Sequence, residues 1–269
     1  MKTRKAMMGM LAVLWAAGCS ESQPAPAAEA TALPEQTTGA EAEPGSSAAE
    51  PAATAPAEPA GPAAATAVPK GPTMPTVGAI VQARIKDFDK WKTAFDGHEQ
   101  ARRDAGIIGH DVSRVDGKKN EVAVYVGATD LAALRAFMGS EDLKARMKES
   151  GVIGKPTITF LTHTEVKPSQ DPSATASVNV THEVADYAAW KPKFDAHADA
   201  RAAAGVVGYG VSQDPENPNK VSVWLQGTDM EKLKAFTKDK GLKAAMKDAG
   251  VKGKPTFLFM NQVEMKFYQ

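Results

Sequence analysis

From Val77 to Ile85, apolar residues recur with the two-residue period of a strand that buries one face. Asp87 then offers its carboxylate to the free amides of a first helical turn. The helix it caps runs to about Ala105, where Gly106 supplies a left-handed stop. Ile107 to Val115 and Glu121 to Val126 form two strands around Asp116-Gly117, a hairpin signal. Thr129 or Asp130 caps a second helix, with Leu131, Leu134, Phe137, Leu143 and Met147 on one side and a bend at Gly139-Ser140. Gly151 stops that helix, and Pro156 to Val166 is the last strand, proline being tolerated at a strand's first residue.

The same pattern returns 99 residues later. Asp87 to Glu165 lies on Asp186 to Glu264 without a gap, and about 34 of the roughly 79 positions are identical. Trp91-Lys92, Phe95-Asp96, His98, Arg102, Ala105-Gly106 and Gly109 recur as Trp190-Lys191, Phe194-Asp195, His197, Arg201, Ala204-Gly205 and Gly208. Gly154-Lys155-Pro156-Thr157 recurs as Gly253-Lys254-Pro255-Thr256. The chain therefore reads as two tandem repeats, residues 76–168 and 174–269, with a Pro/Ser-rich joint near Lys167 to Ser173.

Each repeat has the order β-α-β-β-α-β, a ferredoxin-like arrangement in which both helices cover one face of an antiparallel sheet. The other face is not patterned for water. Val122, Val124 and Val126 alternate with Ala123 and Tyr125, and Phe257 and Phe259 alternate with Leu258 and Met260, so both faces call for burial. Two such sheets packed on each other meet that need, and a repeat of this size is small for a core of its own. The fold class is α+β, with the two repeats pairing within one monomer as an α/β barrel.

The residues that carry a family resemblance are the Asp-Phe/Tyr-x-x-Trp opening of the first helix (Asp87, Phe88, Trp91; Asp186, Tyr187, Trp190), the Ala-Gly-x-x-Gly stop, and the Ala-Phe of the second helix. From about Thr76 to Met265 the chain resembles the dimeric α/β-barrel superfamily, especially its antibiotic-biosynthesis-monooxygenase-like branch. The resemblance implies a ligand cleft between helices and sheet. It does not imply one chemistry, because members include cofactor-free quinol oxygenases, haem-degrading enzymes, isomerases and proteins with no known reaction.

The N-terminal part differs in kind. Lys2, Arg4 and Lys5 precede an apolar run from Ala6 to Ala17, which is shorter than the roughly 20 residues a spanning helix needs and reads as a secretory signal, residues 1–19. Leu14-Trp15-Ala16-Ala17-Gly18-Cys19 resembles a bacterial lipobox, with Ala16 where the family prefers Leu. Cys19 is the only cysteine, so no internal disulfide can form, and its position favours lipidation over a plain signal cut that leaves a free thiol. By the same resemblance, Ser20 after the cysteine implies sorting to the outer membrane. Residues 20–75 are an Ala/Pro/Glu-rich tether, too poor in apolar side chains to build a core.

The formal net charge of zero hides an acidic tether and a slightly basic remainder. The lysines are scattered rather than striped with aromatics, so nucleic-acid binding is not supported.

One constellation carries candidate chemistry. Trp91, Phe95, His98 and Arg102 fall at i, i+4, i+7 and i+11, on one face of the first helix, and Trp190, Phe194, His197 and Arg201 repeat them. Such a stripe is more often core than site: the histidine then donates to a backbone carbonyl, and the arginine pairs at the rim with Asp96 or Asp195. As a site, the candidates are Trp91, His98, Arg102, Trp190, His197 and Arg201, with arginine holding an anion and histidine exchanging protons. His110 becomes Tyr209 in the second repeat, His163 becomes Gln262, and His182 stands where the first has Ala83. No spacing fits a metal site, and no cofactor is expected. A single histidine could ligate haem, but no Cys-x-x-Cys-His attachment motif is present. The expected function is a membrane-anchored lipoprotein that binds a small aromatic or anionic molecule. A cofactor-free monooxygenase-like enzyme and a non-catalytic envelope interaction module are the alternatives, and the enzyme question stays open at this level.

Overall fold

A computed structural model describes residues 74–268; the signal segment, Cys19 and nearly all of the tether lie outside the described residues. The first half runs β1 (Val77–Ile85), α1 (Phe88–Gly97), α2 (Glu99–Asp104), β2 (Ile107–Val115), β3 (Glu121–Ala128), α3 (Leu131–Gly139), α4 (Glu141–Glu149) and β4 (Val152–Lys167). The second half repeats it as β5 (Ala176–Val184), α5 (Tyr187–Ala196), α6 (Ala198–Ala203), β6 (Val206–Gln213), β7 (Lys220–Gly227), α7 (Met230–Lys238), α8 (Lys240–Asp248) and β8 (Val251–Phe267). Among the described residues no helix is long and apolar enough to cross a membrane.

All eight strands close into one antiparallel barrel in the order β1-β3-β2-β8-β5-β7-β6-β4. The closure depends on two long strands. The first part of β4 pairs with β1, and its last residues, Thr162 to Lys167, pair with β6 of the other half. In the same way β8 pairs first with β5 and then, from Met260 to Phe267, with β2. Where β8 meets β2, a Cβ at Gly109 would press on Lys266 and Phe267 at 3.0 Å, and at the other seam one at Gly208 would collide with Ser169 and Gln226 at 2.6 Å and press on Lys167. The second glycine of Ala-Gly-x-x-Gly is thus required by the approach of a strand from the other half. Each hairpin tip is also pinned by the other half's helix: Lys234 meets Asp116 at 2.7 Å and Arg135 meets Glu216 at 2.9 Å.

The double-faced strands have two places to go. Val77, Ala79, Val81, Ala83 and Ile85 of β1 and Val122, Val124 and Val126 of β3 face the helices and form one core with Trp91, Leu134 and Leu143. Val178, Val180, Val223, Leu225, Trp190 and Leu233 form its counterpart. The alternate residues point into the barrel, where Val115, Ala123 and Met260 cluster with Trp224 and Leu258.

Two boundaries differ from the sequence reading, and the bend expected at Gly139-Ser140 is a full break. The first helix of each half is two helices, broken at His98 and His197, which leave helical geometry (φ −96°, ψ 14° and φ −89°, ψ 16°). The carbonyl of Phe95 that would continue α1 instead accepts from the His98 amide and the Arg102 guanidinium. The second helix also divides, with Ser140 and Asp239 ending one segment and capping the next through their side chains. The last strand begins at Val152, not Pro156; residues 154–156 have no partner in the β1 ladder, whose register shifts between Gln82 and Arg84, so the missing proline amide costs no ladder bond.

Because each half lends a strand end to the other, a fragment of residues 74–168 has no partner for β2's outer edge. It should appear as a dimer, its own β4 replacing the missing β8, in size-exclusion chromatography with light scattering; a stable monomer would contradict the seam.

Candidate functional site

Each half encloses a pocket between helices and sheet. The first, a cavity of about 70 Å³, is lined by Trp91, Phe95, His98, Arg102, Phe137, Met138 and Met147 over Val81, Ala83, Val122 and Val124. The second, about 60 Å³, is lined by Trp190, Phe194, His197, Arg201, Phe236 and Met246 over Val180, His182, Val223 and Leu225. All six candidate residues thus come together three by three, although His98 and His197 reach the pockets from a helix break rather than from a continuous face. Within each pocket Trp and Phe stack, Trp91 on Phe95 at 5.4 Å and Trp190 on Phe194 at 5.1 Å.

The arginines are not rim residues. Arg102 is 3% exposed and Arg201 5%, and among the described residues neither has a carboxylate within ion-pair distance. Asp96 and Asp195, the expected partners, are taken by Lys92 and Lys191, each at 2.6 Å. Instead each guanidinium lies over a phenyl ring, 3.8 Å from the centroids of Phe95 and Phe194, and donates to that residue's carbonyl. That carbonyl is at a helix C-terminus, the negative end of the dipole, which offsets part of the cost of burying the charge.

Arg102 makes one more bond, from Nε to Tyr268 Oη at 2.6 Å, and its Nη2 is buried with no partner. Tyr268 comes from beyond the end of β8, so the other half holds the arginine of this pocket. His110 Nδ1 is 2.7 Å from Tyr268 Oη and its Nε2 is 3.0 Å from Glu264, which Lys92 also holds at 2.6 Å. One proton assignment satisfies every member: Tyr268 accepts from Arg102 and donates to His110, which donates to Glu264. Burial, outweighing the bond to Glu264, lowers the His110 pKa and keeps it neutral, as this chain requires. In the second half Tyr209 stands in the place of His110 and donates to Glu165 at 2.9 Å. Burial pushes Glu165 up, but bonds from Lys167, Lys191 and Tyr209 prevail and bring it to about 2.

The histidines diverge. His98 Nε2 sits 2.8 Å from the Asp142 carboxylate, not on a backbone carbonyl, and its ring stacks on Phe137. At the Asp142 position the second half has Gly241, and the His197 ring stacks on Phe236.

His182 is the residue the sequence reading passed over. It is 6% exposed, lines the second pocket beside Trp190 at 5.7 Å, and has no hydrogen-bond partner on either ring nitrogen. Burial lowers its pKa to about 4. Strand parity could have found it: Ala176, Val178, Val180 and Val184 face the helices, so a histidine at 182 must face them too. Among the described residues no cluster of three or more His, Cys, Asp or Glu side chains could hold a metal ion.

No family model matches the chain, and no curated protein matches it. Among solved structures it is similar to one named a "Putative Chlorite dismutase", at 10% identity and a TM-score of 0.52, over 70% of this chain and 94% of that one. It is also similar to a "putative monooxygenase" from Lactobacillus acidophilus NCFM, at 12% identity and a TM-score of 0.50, over 72% and 97%. The fold is that of the dimeric α/β barrels. At these identities the likeness shows the fold alone, so chemistry has to be argued from the pockets.

Burial holds His163 and His182 at about 4 in the fold, whereas the unfolded chain protonates them near the ordinary value of about 6.5. Their contribution is therefore complete above pH ~6.5 and lost as pH falls toward 4. Glu99 and Glu165, held at about 2, act only below the ordinary glutamate value, and Asp111, raised by burial, works in the opposite direction. Tm should fall by several degrees between pH 6.5 and 5, on the order of 2–4 °C per kcal/mol of linkage. Placing each half's counterpart residue, His163→Gln and His182→Ala, should flatten that decline; a slope unchanged in the double variant would refute the assignment.

Proposed function

We propose that this chain is an outer-membrane lipoprotein, anchored through lipid on Cys19, whose barrel binds a small aromatic anion in the two helix-covered pockets. The observation that carries the binding reading is the Arg102 guanidinium, which is almost wholly buried, paired with no carboxylate among the described residues, and leaves Nη2 without a partner beside stacked aromatic rings. An unmet charged donor inside a protein costs roughly 1–3 kcal/mol or more, and an anion brought to it recovers that cost as affinity. His182, neutral and with both ring nitrogens unmet, adds to the second pocket one N–H that can donate to a ligand and one nitrogen that can accept from it. The cavities are small for a ring, so entry displaces their flexible walls, Met138 and Met147 in one and Met246 in the other.

Screening benzoates, phenolates, quinols and haem against the barrel should give saturable quenching of Trp91 and Trp190. Arg102→Ala combined with Arg201→Ala should weaken the best anion by roughly ten- to a hundredfold, the loss of a charge-assisted bond of about 1.5–3 kcal/mol. Affinity unmoved by that pair would end the reading, and turnover with oxygen uptake would put an enzyme in its place.

The anchor rests on the small residues before Cys19 and the tether after it. Cys19→Ser should release the protein from the membrane fraction, and mass spectrometry of the wild type should find an acylated N-terminal cysteine; an unacylated Cys19 would overturn it.

A further inference from the structure

The barrel's inside is hollow. A cavity of about 140 Å³ is bounded by side chains from all eight strands, with Tyr125, Trp224, Met260 and Leu161 as its apolar walls and Asp111 and His163 among its polar ones. It is separate from the helix pockets, since period-two alternation turns Val124 outward and Tyr125 inward on the same strand. Met74, Val166, Met265 and Phe267 line one end and are 38–47% exposed, so the cavity reaches solvent through an apolar mouth.

The polar groups inside are not equivalent. His163 is spent: Nε2 meets Tyr125 Oη at 2.7 Å and Nδ1 meets Ser212 Oγ at 2.8 Å, using both ring nitrogens. Asp111 is not. Its Oδ1 accepts from Ser113 at 2.7 Å and its Oδ2 from Gln262, both neutral donors. A carboxylate has about four acceptor positions, so about two remain open. No Lys or Arg lines the cavity, and among the described residues no cation lies within ion-pair distance of Asp111. Burial raises its pKa, the response of a carboxylate without a counter-ion. In the β2–β3 ladder Asp111 stands directly opposite Tyr125, and in the β2–β8 ladder opposite Met265 at the mouth.

The lumen is also where the halves part company. The helix pockets share Trp, Phe, His and Arg, but across the lumen Asp111 faces the fold's other half as Gly210, Ile80 as Asn179, Tyr125 as Trp224 and His163 as Gln262. Filling a barrel needs only complementary volume. A single half-buried carboxylate among aromatic rings, with open acceptor positions and an apolar entrance, is specific to charge.

We propose that the barrel lumen is a second binding site, selective for a small aryl-substituted primary amine whose ammonium pairs with Asp111 while its ring lies among Tyr125, Trp224 and Met260. The arrangement complements both parts of such a ligand, since aromatic faces attract ammonium as well as aryl groups. This site stands apart from the helix pockets and does not depend on their ligand.

Titration calorimetry of the full chain with 2-phenylethylamine, 2-phenylethanol and phenylacetate tests it. The amine should bind saturably, and the alcohol and the acid should bind at least tenfold more weakly or not at all. Asp111→Asn, which keeps shape and can still bond Ser113, should lower amine affinity roughly ten- to a hundredfold, whereas Arg102→Ala with Arg201→Ala should leave it unchanged. Equal affinities across the three compounds, or no amine binding, overturn the proposal with no variant needed. An amine that binds Asp111→Asn as tightly as wild type, or is lost with the arginines, places it outside the lumen and overturns it too.

Discussion

A four-stranded sheet with apolar residues on both faces cannot be stable with one face in water, and every larger feature of this molecule follows from how that face is covered. The two sheets do not simply stack. β4 and β8, at 16 and 17 residues, run past the ends of their own sheets and become strands of the other, leaving no unpaired edge in the closed barrel. Closure removes the exposed edges that invite aggregation, which a half alone would carry. It also couples the first site to the fold, because Tyr268 from beyond the end of β8 bonds Arg102 and, with Glu264, holds His110, while in the other half Glu165 of β4 holds Tyr209.

The coupling explains the helix break. A guanidinium in a dry interior must find acceptors, and Arg102 and Arg201 find theirs on the carbonyls of Phe95 and Phe194, seven residues back along the chain. The helix ends there, the aromatic side chain of the same residue lies flat under the guanidinium, and the histidine that follows turns toward the pocket. A hydrophobic residue of similar volume would serve stability as well or better. That both halves keep the arginine, the phenylalanine and the histidine together is a reason to read the group as built for something other than packing.

Much of this was legible in the chain. Period two with both phases apolar forced a second cover for the sheet, and the 99-residue repeat supplied it. Spacing brought Trp91, His98 and Arg102 together, as it did Trp190, His197 and Arg201. What failed was the assumption of one straight helix, because the break depends on a side chain bonding backward to a carbonyl, an event no periodicity records. The rim pairing of the arginines failed for a related reason: Asp96 and Asp195 lie one turn from Lys92 and Lys191, and the local i,i+4 pairs win. His182, Asp111 and the Tyr125–His163–Ser212 chain were missed because each depends on which face of a strand points where, and His163 meets Ser212 only across a seam between the halves.

The alternation that hid those residues also separates the two kinds of site. A strand residue belongs either to the helix side or to the lumen, and its neighbours belong to the other, so the sheet acts as a partition one residue thick. Changes on one side can therefore leave the other untouched: Val122 and Val124 recur as Val221 and Val223 while Ala123 and Tyr125 become Ser222 and Trp224, and on the helix side Ala83 becomes His182 and His110 becomes Tyr209 around an unchanged Trp, Phe and Arg. The outward side is held by a packed core and by the buried guanidinium, where a substitution must satisfy many neighbours at once. The inward side borders a cavity, where each substitution meets empty space first and only has to suit whatever fills it. Two copies of one unit can therefore keep a common pair of helix pockets and, between them, form a single lumen that neither copy specifies alone.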